Sequence, residues 1–175
     1  MGLNYRSLDV ITREAMAEEV ERDVTSGTLY ISPRLTDEGA RLWPDVLRSA
    51  VSKGTDDILA QELVTRGFLK THELGHRNGK PYSKAVPVNA ASTLAEGEFN
   101  RFYLRGIASR GVVESRGIEI YRGRSSSNPR SASVALEGQR LAADVLLDDL
   151  RANTRTDTAL GLPPGPNSGL TGELV

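Results

Sequence analysis

The stretch Ala90 to Val112, AASTLAEGEFNRFYLRGIASRGV, limits the fold of this chain more than any other segment. Ala95, Phe99, Phe102, Tyr103, Gly106 and Ile107 recur every three or four residues, so a helix gathers them on one face. Glu98, Arg101 and Arg105 take the other side. Arg105 and Arg110 lie toward the C-terminal end, where the helix dipole favours cations. Thr93 followed by Glu96 has the form of a capping box and predicts the helix start there. Gly97 and Gly106 each cost about 1 kcal/mol against Ala in a helix interior, so burial must hold this helix. The pattern favours a core helix over a stacking platform for bases built from Phe99 and Tyr103 beside Arg101 and Arg105.

A chain of 175 residues suits one domain with a sizeable core. It has no cysteine, which excludes disulfides and thiolate chemistry and fits a reducing compartment. No apolar run approaches the roughly 18 residues of a spanning helix. The N-terminus lacks a basic-then-apolar signal, and Arg6 takes the Ser/Thr place of a myristoylation motif. The expectation is a chain neither secreted by its own signal nor membrane-spanning.

Net charge is only −1, but it is unevenly spread. Residues 1–24 hold six acids against three bases, whereas residues 101–140 hold eight arginines against three acids. The basic block could meet phosphates, but its own acidic ends or a neighbouring subunit's are the favoured partners. Arginine without lysine points to fixed, bidentate contacts.

From the N-terminus, Ser7 can cap a helix running from Leu8 to about Val24, with Leu8, Ile11 and Ala15 on one stripe and Met16, Val20 and Val24 continuing it. Its remaining acidic positions read as solvated. Leu29 to Ile31 reads as a short strand. Thr36-Asp37-Glu38 opens a helix whose buried pairs are Leu42/Trp43, Val46/Leu47 and Ala50/Val51, with Pro44 in its first turn or kinking it. Thr55 caps a further helix to Arg66, buried through Ile58, Leu59 and Leu63 and closed by Gly67. Phe68 to Val88 reads as a hairpin about Asn78-Gly79. Ile118–Tyr121 and Ala132–Leu136 read as a second strand pair, separated by the basic loop RGRSSSNPR. Leu141 to Arg151 is a last helix burying Leu146, Leu147 and Leu150, and a Pro/Gly-rich tail follows.

One motif points to catalysis. His72-Glu73-Leu74-Gly75-His76 matches H-E-x-x-H, in which a helix stacks two zinc-binding histidines and the glutamate acts as base. Glu96 could supply a third ligand. That chemistry requires a helix at 70–78. The flanking residues favour a strand instead, which sets the histidines about 13 Å apart. A metzincin's third histidine would fall at Tyr82, and no methionine follows Met16 for a Met-turn. P-loop, dinucleotide and nucleophile-elbow signatures are absent from the sequence.

The runs VPVNAASTLAEGEFNRFYLRGI, IEIYRGRSSSNPRSAS, LLDDLR and TALGLPPGPNSGL resemble a family of small proteins of tailed bacteriophages and prophage-bearing bacteria. The resemblance spans Val86 to Leu170. It carries no catalytic residues over, and HELGH is not among the shared features. It implies a virion or assembly role, in the virion or the host cytoplasm.

The combined expectation is a single α+β domain over residues 1–155, with four to five helices, two short β-hairpins and an extended C-terminal arm over residues 156–175. Its function is that of a non-enzymatic structural or assembly protein of a phage particle, capsid-associated or at the head–tail junction, with no cofactor. Its partners are other virion subunits or its own copies, contacted through Arg101, Arg105, Arg122, Arg124 and Arg130 and through Pro163, Pro164 and Asn167 of the tail. The alternatives are a zinc-dependent metalloprotease (His72, His76 and Glu96 as ligands, Glu73 as base) and a nucleic-acid-binding regulator using the Arg-rich 101–130 region.

Overall fold

The computed structural model describes residues 2–77, 79–154, 161 and 168–175. Among them the chain forms helices α1 (Val10–Ser26), α2 (Asp37–Lys53), α3 (Asp56–Thr65), α4 (Ala90–Glu114), α5 (Ser131–Leu136) and α6 (Ala143–Ala152). The strands are β1 (His72–Arg77), β2 (Lys80–Ala85), β3 (Ile118–Arg122), β4 (Arg140–Leu141) and β5 (Leu170–Leu174). The architecture is α+β, with α4 as the axis on which α1, α3, α6 and the second sheet pack.

Helix α4 is buried almost all round, including the positions assigned to its polar side. Phe99, Tyr103, Leu104 and Ile107 are inaccessible to solvent, and so is Arg105. A helix buried on most sides along its middle needs partners there, and α1, α3, α6 and β5 provide them. Its start differs from the capping-box expectation. The helix begins at Ala90 after Asn89, whose carbonyl accepts from Thr93 N at 2.9 Å, and Glu96 turns instead to Arg124. Pro87 and Asn89 already turn the chain, so the first turn forms before Thr93 is reached.

The cap of α1 is Asp9, not Ser7. Its carboxylate accepts from Thr12 N at 2.9 Å, while Ser7 Oγ accepts from Leu174 N. The inward stripe runs through Thr12, Met16, Glu19, Val20 and Asp23, which leaves Ile11 outside. Thr36 and Thr55 cap α2 and α3 as expected, and Pro44 lies within α2. In α3, Leu59 and Leu63 are buried and Ile58 is exposed.

The hairpin β1–β2 pairs His72 with Ala85 and Arg77 with Lys80. The second sheet has order β4-β3-β5, antiparallel throughout. Two expectations change there. Ser131–Leu136 forms a helical turn and a half rather than a strand. Pairing to β3 resumes only past Gly138, whose φ of 83° reverses the chain so that Gly138 N and Gln139 O meet Ile120. The other partner of β3 is the C-terminal segment. Leu170 to Leu174, expected to belong to an arm, are a strand whose Leu170 and Thr171 are fully buried. Leu29–Ile31 is irregular.

Although β5 lies at the sheet edge, other groups secure it. Asn100 of α4 donates to Leu170 O at 2.9 Å and accepts from Thr171 Oγ1 at 2.7 Å. Tyr103 donates to Gly172 O at 2.9 Å, and Arg6 pairs with Glu173. A side chain at position 172 would strike Ile118 and Leu104, so glycine lets the strand lie against α4. No helix among the described residues is long and apolar enough to cross a membrane.

Candidate functional site

The arginines singled out in the sequence are mostly spent inside the molecule. Arg105 donates to Asp23 at 2.6 and 2.9 Å and to Glu19 at 2.8 Å. Glu19 also takes Arg151 of α6, so one buried cluster fastens α1, α4 and α6 together. Burial opposes the Glu19 charge, but hydrogen bonds from Arg151 and the charge of Arg105 outweigh it and hold its pKa below the usual carboxylate range. Glu98, on the same helix as Arg105, has the opposite balance. Burial pushes its pKa up to about 7, against the pull of Arg101 and with the push of Asp23.

Arg101 is buried and donates to Asn153 O, Arg122 holds Glu137 and Ser168 O, and Arg124 holds Glu96. With Arg105, all four are internal ties, engaged by the chain's own carboxylates and carbonyls. Arg130, before α5, is exposed, and Arg122 and Arg124 are half-buried. Pro163, Pro164 and Asn167 lie outside the described residues. The charge pattern favours the chain's own acidic ends as partners of this block, but the helix reading leaves the acids of α1 in solvent. A signal was present: Glu19 and Asp23 fall at the spacing of Thr12 and Met16, on the inward stripe.

HELGH forms β1, so His72 and His76 are four strand steps, about 13 Å, apart. Both are exposed, and neither shares a metal-binding cluster of three His, Asp or Glu among the described residues. Glu73, cast as the catalytic base, is held by Arg34 at 2.7 Å and by Lys84 at 3.1 Å, which lower its pKa to about 2. A carboxylate so acidic is a poor proton acceptor at neutral pH. Glu96, the third ligand of that reading, pairs with Arg124. The zinc-hydrolase arrangement is not formed.

What the fold does present is an apolar end on the α1–α4 pair. Arg110 donates to Asp9 at 2.8 Å, to Thr12 Oγ1 at 2.7 Å and to Glu114 at 3.1 Å, pinning the start of α1 to the end of α4. Farther along, the helices close tightly at Gly106, where a Cβ would sit 2.7 Å from Met16 Cγ and 3.1 Å from Thr12 O. Val113 follows Gly106 by two helical turns on that face. Val10 and Ile11 stand in the first turn of α1, and Val112 adjoins Val113. All four are 47–83% exposed. Scattered surface aliphatics need no explanation, but these four lie where the start of α1 meets the end of α4.

No family model, no curated protein and no solved structure matches this chain.

Proposed function

We propose that this chain is a non-enzymatic structural or assembly protein of a tailed-phage particle, capsid-associated or at the head–tail junction, in the virion or the host cytoplasm. The resemblance of residues 86–170 supplies the phage setting. The observation that carries the reading is the apolar end formed by Val10, Ile11, Val112 and Val113, held rigid by the Arg110–Asp9 contact. Its occupants are other copies of the chain or neighbouring virion subunits. Such a role needs a body that keeps its shape, and the buried Arg105 cluster supports that requirement.

Light scattering on the purified chain across a concentration series tests the self-contact. The wild type should associate, and V10E/V113E, which places carboxylates on the patch, should remain monomeric with an unchanged melting temperature. A wild-type monomer at every concentration would remove self-contact from the proposal.

A further inference from the structure

The β1–β2 hairpin stands off the helical body. Its attachments are at its base: the Leu35–Leu69 bridge, the bond from Lys70 N to Arg34 O, and the Arg34–Glu73 ion pair. Beyond these, every residue of β2 is exposed, and β1 buries only Gly75, under the ring of Tyr82. A two-stranded ribbon of six residues a side reaches about 20 Å. Two strands alone have little stability in water, so a ribbon of this kind gains most from a surface it can dock on.

The register decides what it offers. Cross-strand partners share a face, so Glu73, Gly75, Arg77, Lys80, Tyr82 and Lys84 lie on one side. Leu74, His72, His76, Pro81, Ser83 and Ala85 lie on the other. All the formal charge of the two strands is on the first side. Its single carboxylate, Glu73, is neutralised by Arg34 and Lys84 together. Arg77 and Lys80, paired at the tip, meet no carboxylate among the described residues. With Arg34 counted, four cations face one acid, and the one large ring beside them, Tyr82, is partly exposed.

We infer that this ribbon is a docking element for duplex DNA, laid in the major groove with Arg77, Lys80 and Lys84 on backbone phosphates. A B-form major groove admits a two-stranded ribbon, and its walls present phosphates to a cationic face. A protein partner would be expected to find a less charged, more apolar contact centre than this face has. The contacts are to the backbone, so binding would carry little sequence preference. Within the Arg101–Arg130 block that the sequence offered for nucleic acid, Arg101, Arg105, Arg122 and Arg124 are engaged by the chain's own groups, whereas Arg77 and Lys80 of the ribbon are exposed side by side at its tip. The inference stands on the ribbon's geometry and charge and does not require the phage assignment.

The test is fluorescence anisotropy of the full chain with a labelled 20-base-pair DNA duplex from 50 to 200 mM salt. Three phosphate contacts predict a log–log salt slope of about −3, and R77A/K80A should reduce it to about −1 and weaken binding at 50 mM salt at least tenfold. R130A, which removes an exposed cation away from the ribbon, should leave both unchanged. An A-form RNA duplex, whose major groove is too narrow for the ribbon, should bind more weakly. The inference is overturned by absent binding at 50 mM salt, by an R77A/K80A slope equal to that of the wild type, by loss in R130A equal to that in the tip variant, or by RNA binding as tight as DNA. Tighter binding to a labelled poly-glutamate peptide than to DNA would overturn it in favour of an acidic protein partner.

Discussion

Arg105 of α4 is wholly buried and donates to both carboxylate oxygens of Asp23 in α1, at 2.6 and 2.9 Å. Two helices far apart in sequence are thus joined by a bidentate ion pair at the centre of the molecule, and Glu19 brings in Arg151 from α6.

Removing one partner of such a pair leaves buried charge uncompensated. Arg105→Ala should cost about 3–5 kcal/mol in urea unfolding, well beyond the loss of its side-chain contacts alone. A loss below about 1 kcal/mol would mean that the cluster does not hold the three helices.

Glu98 gives the stability a pH signature. An ordinary glutamic acid releases its proton near pH 4.5, whereas the buried group releases it near 7. Between these values the folded chain binds more protons than the unfolded one, so this group makes stability fall as pH rises from about 4.5 to 7 and then level off. Glu98→Gln should flatten that slope and be more stable than the wild type at pH 8, by on the order of 3 kcal/mol. Glu19 acts in the opposite direction at lower pH: its contribution, present above the ordinary carboxylate range, is lost as pH falls through its depressed value. Parallel wild-type and E98Q stability curves from pH 4.5 to 8 would contradict the assignment.

Two glycines of α4 should respond to alanine with opposite signs. At Gly97 an added Cβ meets nothing within 4 Å, so helix propensity alone should stabilise the chain by about 1 kcal/mol. At Gly106 the same methyl meets Met16 Cγ at 2.7 Å and the α1 backbone at 3.1 Å. Overpacking of about 1–3 kcal/mol should then outweigh the propensity gain. Thermal melts of G97A and G106A check both, and a stabilised G106A would show that α1 and α4 are not in close contact.

The final strand should be needed for folding. Tyr103→Phe removes the donor to Gly172 O and the acceptor for Ser7 N, and should cost about 1–3 kcal/mol. Deleting residues 170–175 should abolish the cooperative melt, because β3 and the adjoining face of α4 lose their cover. A shortened chain that melts like the wild type would restore the view of this segment as a dispensable arm.

Much of the helical fold was legible in the sequence, because apolar periodicity and threonine caps are local signals. Thr36, Thr55, Leu59, Leu63, Leu146 and Leu150 all take the roles their spacing implied. The hairpin was legible for the same reason. What failed was non-local. Nothing near Leu170–Leu174 marks a strand, since its pairing partner Ile118–Arg122 is some fifty residues away and a Pro/Gly-rich run stands before it. The uneven charge favoured acidic ends of the chain or of a neighbour as partners of the arginine block without saying which acids; only the spacing of Glu19 and Asp23 with Met16 pointed to the buried partners of Arg105. The apolar end was hidden similarly. Ile11 looked like core until the inward stripe of α1 proved to be rotated onto Thr12.

The most direct measurement of the functional account is quantitative mass spectrometry on particles purified from a prophage-bearing strain that expresses this chain. The chain should be present in intact, salt-washed particles at a fixed ratio to the other virion proteins, and V10E/V113E should be lost from them. A chain abundant in the lysate but absent from the particles, with particle yield unchanged when it is deleted, would contradict the claim that it builds the virion.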